Sequence, residues 1–219
     1  MKRSAINAAL TTARAICDAH RFALPGWAEW TSTDHAANPA QSQFLATHQI
    51  GWDCTDFGAG DFARRGLTAL CLRNGIQGDP TERPYAEKLL FVGEGQETPF
   101  HCHKVKLEDI IVRGGGNLMV EFTAAGSIPG WDMPRIDGAV VEPFSGPIRL
   151  TRGTSITVPR GLQHRFWAEP GHGTAFVAEV SQCNDDHGDN FFLEPLGRFS
   201  TVEEDAAVLW PLWNEVATG

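Results

Sequence analysis

The residues best suited to chemistry sit in one stretch, Thr98-Pro99-Phe100-His101-Cys102-His103-Lys104-Val105-Lys106-Leu107-Glu108. His101 and His103 are two apart, and side chains two apart on a strand share a face. Both imidazoles therefore point into one space. Glu108 follows His103 by five residues, the wrong parity for one continuous strand. A hairpin after His103, with Glu108 returning on the neighbouring strand, brings the carboxylate back to the imidazoles. Lys106, two before Glu108, then faces the same interior. Two neutral imidazoles and a carboxylate suit a borderline divalent ion such as Mn, Fe, Co, Ni or Zn. A fourth ligand is expected from His164, which opens a strand after the Pro159-Arg160-Gly161 turn.

A second carboxylate has a geometric claim on this site. Glu179 follows His164 across a turn near Gly171 to Gly173, so it is placed to return alongside that strand. It lies between Phe176-Val177-Ala178 and Val180, a poor setting for a solvated acid.

The elements that must hold these groups are short. From Leu67 onward, β-prone runs alternate with Gly and Pro turns. They are 67–72, 88–92, 108–112, 117–122, 148–151, 155–158, 164–167 and 174–180. Short strands so spaced predict an antiparallel sandwich or barrel, and no strand–long helix alternation supports a doubly wound sheet. Ahead of them, Ile6, Leu10, Ala13 and Cys17 form one apolar stripe, predicting a helix over 5–22 with Ser4 as N-cap and Pro25-Gly26 beyond its end. Residues 27–66 carry Trp27, Trp30, Phe44, Trp52, Phe57 and Phe62 among turn residues, and form an arm or lid. The acidic run Glu203-Glu204-Asp205 predicts a short C-terminal helix. The expected organisation is one domain over 1–219: helix and arm 1–66, barrel 67–200 and C-terminal segment 201–219. Gly114-Gly115-Gly116 has no helix pattern or Lys-Ser/Thr after it and fits a tight turn better than a phosphate cradle.

Composition removes several function classes. With 219 residues, 42% of them hydrophobic, the chain can bury a sizeable core. A formal net charge of −9 opposes binding to nucleic acid or an anionic membrane. No apolar run is long enough for a bilayer span, and no apolar core precedes Thr11 to make a signal peptide. The five scattered cysteines include no C-x-x-C pair, which fits reduced thiols in the cytoplasm.

Two segments carry a resemblance. Gly95, His101, His103, Glu108 and Gly115 match the cupin pattern G-x5-H-x-H-x4-E-x6-G at every fixed position. Gly153, Pro159, Gly161 and His164 resemble G-x5-P-x-G-x2-H-x3-N, with Ala168 in place of the final Asn. The resemblance implies an all-β cupin-type barrel with a divalent metal held by His101, His103, Glu108 and His164. The run Glu108-Asp109-Ile110-Ile111-Val112-Arg113-Gly114-Gly115-Gly116 is more specific and resembles D-lyxose isomerases. So do Glu179-Val180-Ser181, Asn184-Asp185-Asp186 and Leu193-Glu194-Pro195-Leu196-Gly197-Arg198-Phe199. The similarity runs from about Phe22 to Phe199.

That family implies an Mn-dependent aldose–ketose isomerase interconverting D-lyxose with D-xylulose, and D-mannose with D-fructose. Such chemistry needs a Lewis acid on two substrate oxygens and a carboxylate that moves a proton between C1 and C2 through an enediol. Lys106 is the expected partner for oxyanion charge, or a proton shuttle on oxygen. The resemblance favours Glu194 as the carbon base, whereas the apolar setting favours Glu179. Asp189 and Arg198 are hydroxyl-binding candidates, with structural ion pairs as the competing role. A homodimer is the default assembly. Two rival readings are a cupin Fe(II) oxygenase and a non-catalytic sugar-binding cupin.

Overall fold

The computed structural model describes residues 1–216. Helix α1 (Arg3–Ala19) and two short helices, α2 (Ser32–Ala37) and α3 (Pro39–Thr47), precede the strands. The strands are β1 (Gly51–Thr55), β2 (Leu67–Arg73), β3 (Ala86–Val92), β4 (Glu97–Cys102), β5 (Glu108–Gly115), β6 (Leu118–Thr123), β7 (Arg135–Ile136), β8 (Ala139–Val140), β9 (Ile148–Leu150), β10 (Ser155–Val158), β11 (Gln163–Ala168), β12 (Ala175–Ser181) and β13 (Phe191–Phe192). They form two antiparallel sheets, ordered β1-β2-β3-β12-β5-β10-β7-β8 and β13-β4-β11-β6-β9. This is the cupin-type barrel that the sequence predicts.

Burial explains the two textures among the strands. β5 and β6 alternate buried and half-exposed residues, because one face meets the interior and the other does not. β2, β3 and β12 are buried almost throughout. Their inner residues, including Leu90, Val92 and Val177, meet Leu118, Val120 and Phe166 of the facing sheet. Their outer residues Leu70, Leu89, Phe91 and Phe176 meet Ile6, Leu10, Ala13 and Cys17 of α1, the stripe seen in the sequence. The turn from β5 to β6 uses the glycine run. Gly115 has φ 68°, and a Cβ there would lie 2.1 Å from the Thr174 carbonyl oxygen.

Several local expectations change. Ser4 lies inside α1, and Lys2 occupies the N-cap position without a side-chain cap bond. The acidic run 203–205 forms no helix. Asp205 instead accepts from the Ser4 amide (2.8 Å) and hydroxyl (2.7 Å), so its charge serves the exposed donors at the start of α1. Arg3 bonds Glu204 and Glu215, tying the same helix end to both sides of the C-terminal segment. The last helical turn among the described residues is a 3-10 turn at Trp213–Glu215. Within the arm, residues 51–55 become β1, which pairs with β2, and Trp52 is buried with its Nε1 donating to the Ala28 carbonyl at 2.7 Å. Trp27 and Phe57 also pack on the core, whereas Phe44 is largely exposed.

The hairpin expected after His103 is absent. β4 pairs with β11 and β13, whereas β5 pairs with β12 and β10. The chain crosses between the sheets over 103–107. Glu179 likewise lies beside β3 and β5, not beside the strand of His164.

Candidate active site

The site is built where the two sheets face each other. His101 and His164 are directly paired across β4 and β11, with ring centroids 4.3 Å apart. His103 follows from the end of β4. From the opposite sheet, Glu108 opens β5 and Glu179 lies on β12 in register with Lys88 of β3 and Ile110 of β5. Ser181 is the register partner of Glu108, so Glu108 and Glu179 share one face, two residues apart along the ladder. Ligand atoms of His101, His103, Glu108 and His164 all lie within 4.8 Å of one another, and all four residues are buried.

Each imidazole is oriented from behind by a backbone carbonyl. Nδ1 of His101 meets the Pro99 carbonyl at 2.9 Å, Nδ1 of His164 meets the Leu162 carbonyl at 3.2 Å, and Nδ1 of His103 meets the Asp189 carbonyl. Those carbonyls can only accept, so Nδ1 carries the proton and each Nε2 presents a lone pair. His164 Nε2 lies 3.0 Å from Glu108 Oε1. Both atoms are buried without a hydrogen-bond partner. Two lone pairs facing each other in a buried site repel, and a cation between or beside them relieves that. The donor set of three Nε2 atoms and one carboxylate thus fits a divalent metal.

Burial above all favours the neutral form of His101 and His103. Burial lowers His101 well below its ordinary value, and His164 and His103 add to the effect. Burial, then Lys106, lowers His103 to about 4. Lys106 Nζ bridges Glu108 Oε2 at 2.8 Å and Glu179 Oε1 at 2.7 Å. Burial disfavours the ammonium, but the two carboxylates outweigh it and raise its pKa. Burial also opposes ionisation of Glu179, yet Lys106 and Lys88 hold it below the usual carboxylate range. Glu108 is driven lower still: against burial, Lys106, His103 and His164 favour the anion.

Beyond Glu179 the cavity wall continues through Lys88, Asn184, Asp186, Asn190 and Arg198. Lys88 Nζ donates to Asn184 Oδ1 at 2.6 Å and lies 3.6 Å from Asp186. Arg198 pairs with Asp53 and Asp186, while its buried Nη1 has no partner. Lys88 and Asp186 are not among the candidate site residues of the sequence, although Asp186 belongs to the family-like run Asn184-Asp185-Asp186. Lys88 carried a signal, a charge sharing strand parity with buried Leu90 and Val92. Asp186 lies in a loop with no periodicity to place it.

Two candidates lie elsewhere. Glu194 is absent from the cavity lining, its side chain is 49% exposed, and both its oxygens bond Arg65, at 2.9 and 3.2 Å. It follows β13 directly, which explains why sequence proximity to the site misleads. Asp189 also lies outside the lining. Its carboxylate is spent on the backbone amides of Lys104, Val105 and Lys106, which leaves it no free oxygen for a hydroxyl.

Comparison with known proteins places this arrangement. The family model described as D-lyxose isomerase matches residues 1–216. The chain belongs to the D-lyxose isomerase family. It is a sugar isomerase of the aldose–ketose type. It is 44% identical to a D-lyxose/D-mannose isomerase of Escherichia coli O157:H7, with 98% of each chain covered. It is 42% identical to one of Serratia proteamaculans, with 98% of this chain and 97% of the relative covered. Among solved structures, L-ribose isomerase of Acinetobacter sp. DL28 bound to L-ribose aligns with a TM-score of 0.62 at 17% identity, covering 93% of this chain and 98% of that one. L-ribose isomerase of Cellulomonas parahominis with L-psicose gives 0.61 at 19%, with the same shares covered. At those identities the two structures speak only for the fold of this chain.

Proposed function

We propose that this D-lyxose isomerase family member is a metal-dependent isomerase of free monosaccharides, converting D-lyxose to D-xylulose and D-mannose to D-fructose by proton transfer. The observation that carries the reading is the buried triad of Lys106 between Glu108 and Glu179, beside three inward-facing Nε2 atoms. Relatives described as D-lyxose/D-mannose isomerases support the substrate pair. A divalent ion held by His101, His103, Glu108 and His164 would supply Lewis-acid polarisation of the substrate oxygens at C1 and C2. Mn is the ion we assign, because the chemistry calls for no redox change.

Glu179 is our carbon base. As an anion it accepts the proton from C2 of the aldose, leaving an enediol, and returns it to C1 to give the ketose. Lys106 donates a hydrogen bond to charge developing on substrate oxygen and carries the proton exchanged between the O1 and O2 atoms. Arg198 and Lys88, with Asn184 and Asn190, offer donors for the hydroxyls at the far end of the sugar. Asp186 and Asp53 neutralise the two cations there, an arrangement suited to a neutral sugar and not to a phosphorylated one. The five cysteines are free and buried, in keeping with a cytoplasmic enzyme. No helix among the described residues is long and apolar enough to cross a membrane. We assign a homodimer as its assembly.

The test is turnover of D-lyxose with added Mn in deuterated water, with and without chelator. Chelator-sensitive D-xylulose carrying deuterium at C1 is the expected product, the label entering as the proton held by Glu179 exchanges with solvent before its return. Absence of ketose from both lyxose and mannose would overturn the reading.

A further inference from the structure

The segment crossing between the sheets has no strand ladder of its own. β4 ends at Cys102 and β5 begins at Glu108. Yet this segment carries Lys106, and His103 begins it. Three of its amides are gathered by one side chain. Oδ1 of Asp189 accepts from the Lys104 amide at 2.7 Å and the Val105 amide at 3.1 Å. Oδ2 accepts from the Lys106 amide at 2.9 Å and the Val105 amide at 3.2 Å. Three consecutive N–H groups converging on one carboxylate form an anion-binding nest. The carbonyl of the same residue accepts from His103 Nδ1. Asp189 is 2% exposed, so neither water nor another side chain can replace it readily. The carbonyls of the segment are held from the other side: His103 accepts from the Gly161 amide at 2.7 Å, and Val105 from Arg160 Nε at 2.6 Å.

We propose that Asp189 is a positioning residue of the reaction. It touches no substrate, but it sets the Lys106 ammonium against Glu108 and Glu179 and locks the tautomer and direction of the His103 imidazole. Its effect on rate rests on the isomerase reading, whereas its effect on metal affinity and on the loop does not. Asp189→Asn keeps the shape but turns one acceptor into a donor facing an N–H group, so the nest opens.

The experiment compares wild type and D189N in three readouts: kcat and KM for D-lyxose, Mn affinity by calorimetry, and hydrogen exchange of the 103–107 segment in the Mn-loaded protein. A folded D189N should lose at least about tenfold in kcat with KM within about twofold, and bind Mn about tenfold more weakly, the size expected when a residue supporting a ligand is lost. Exchange at 104–106 should speed up in the variant. Wild-type kcat and Mn affinity in a folded D189N would overturn the proposal. So would a raised KM at unchanged kcat, which marks a substrate contact. Should D189N fail to fold, the wild-type protein decides: slow exchange of the 104–106 amides supports the nest, and exchange at the rate of an open loop overturns it. Should wild type show no turnover, the isomerase reading fails while metal affinity and exchange still test Asp189.

Discussion

Glu179 and Glu194 show how differently two glutamates of similar sequence claim can be used. One is buried against an ammonium in the cavity, and the other forms a surface pair with Arg65. Glu179→Gln should lower kcat by about 10²–10⁴-fold, the range for loss of a positioned base, while Mn binding persists. Glu194→Gln should leave kcat within about threefold. Steady-state kinetics and metal titration of the two variants check both statements, and the opposite ordering would return the base to Glu194. The cluster of candidate metal ligands was legible because H-x-H and the following Glu have a fixed spacing that few structural needs impose. Asp189 was legible as an acid near the site but not as a nest, because its partners are backbone amides and leave no mark in side-chain identity.

The elements were legible where burial is one-sided. The stripe of α1 and the alternation in β5 and β6 follow from a single buried face. The C-terminal helix was misread because the acidic run looks identical whether it serves its own helix start or that of another helix. Here Asp205 serves Ser4 of α1. The partner strand of Glu108 was misread because parity restores a side chain to an interior without saying which sheet carries it. Glycine at the β5–β6 turn was read correctly as a turn. Gly115→Ala places a Cβ 2.1 Å from the Thr174 carbonyl oxygen at a positive φ, and should cost about 2 kcal/mol or more. A thermal melt showing an unchanged midpoint would contradict that placement.

At the scale of the molecule, the site links charge to stability. His101 and His103 are neutral when folded and bind protons more readily when unfolded. Their folded pKa values are lowered, so the stability they allow is present above about 6.5, the unfolded value, and falls as pH drops toward about 4. The slope is up to about 1.4 kcal/mol per pH unit for each imidazole. Urea midpoints of the metal-free protein should be lower at pH 5 than at pH 7.5, and His103→Gln should remove part of that difference. A flat profile would mean that the imidazoles are not held neutral. Metal acts on the same balance, since an ion that binds only the folded chain adds about 2.7 kcal/mol at a hundred times its Kd.

The division of the ligands between facing sheets has a kinetic consequence. His101 and His164 come from one wall of the barrel, Glu108 from the other and His103 from the segment that crosses between them, so an ion seated among them would be sewn into both. A chelator entering by the substrate's route would meet only the open side of the ion, and the four protein ligands would let go together only when the walls part. The rate of metal extraction should therefore level off as chelator concentration rises, at a ceiling equal to the frequency with which the protein opens. That ceiling measures the breathing of the barrel, with the departing ion as its clock.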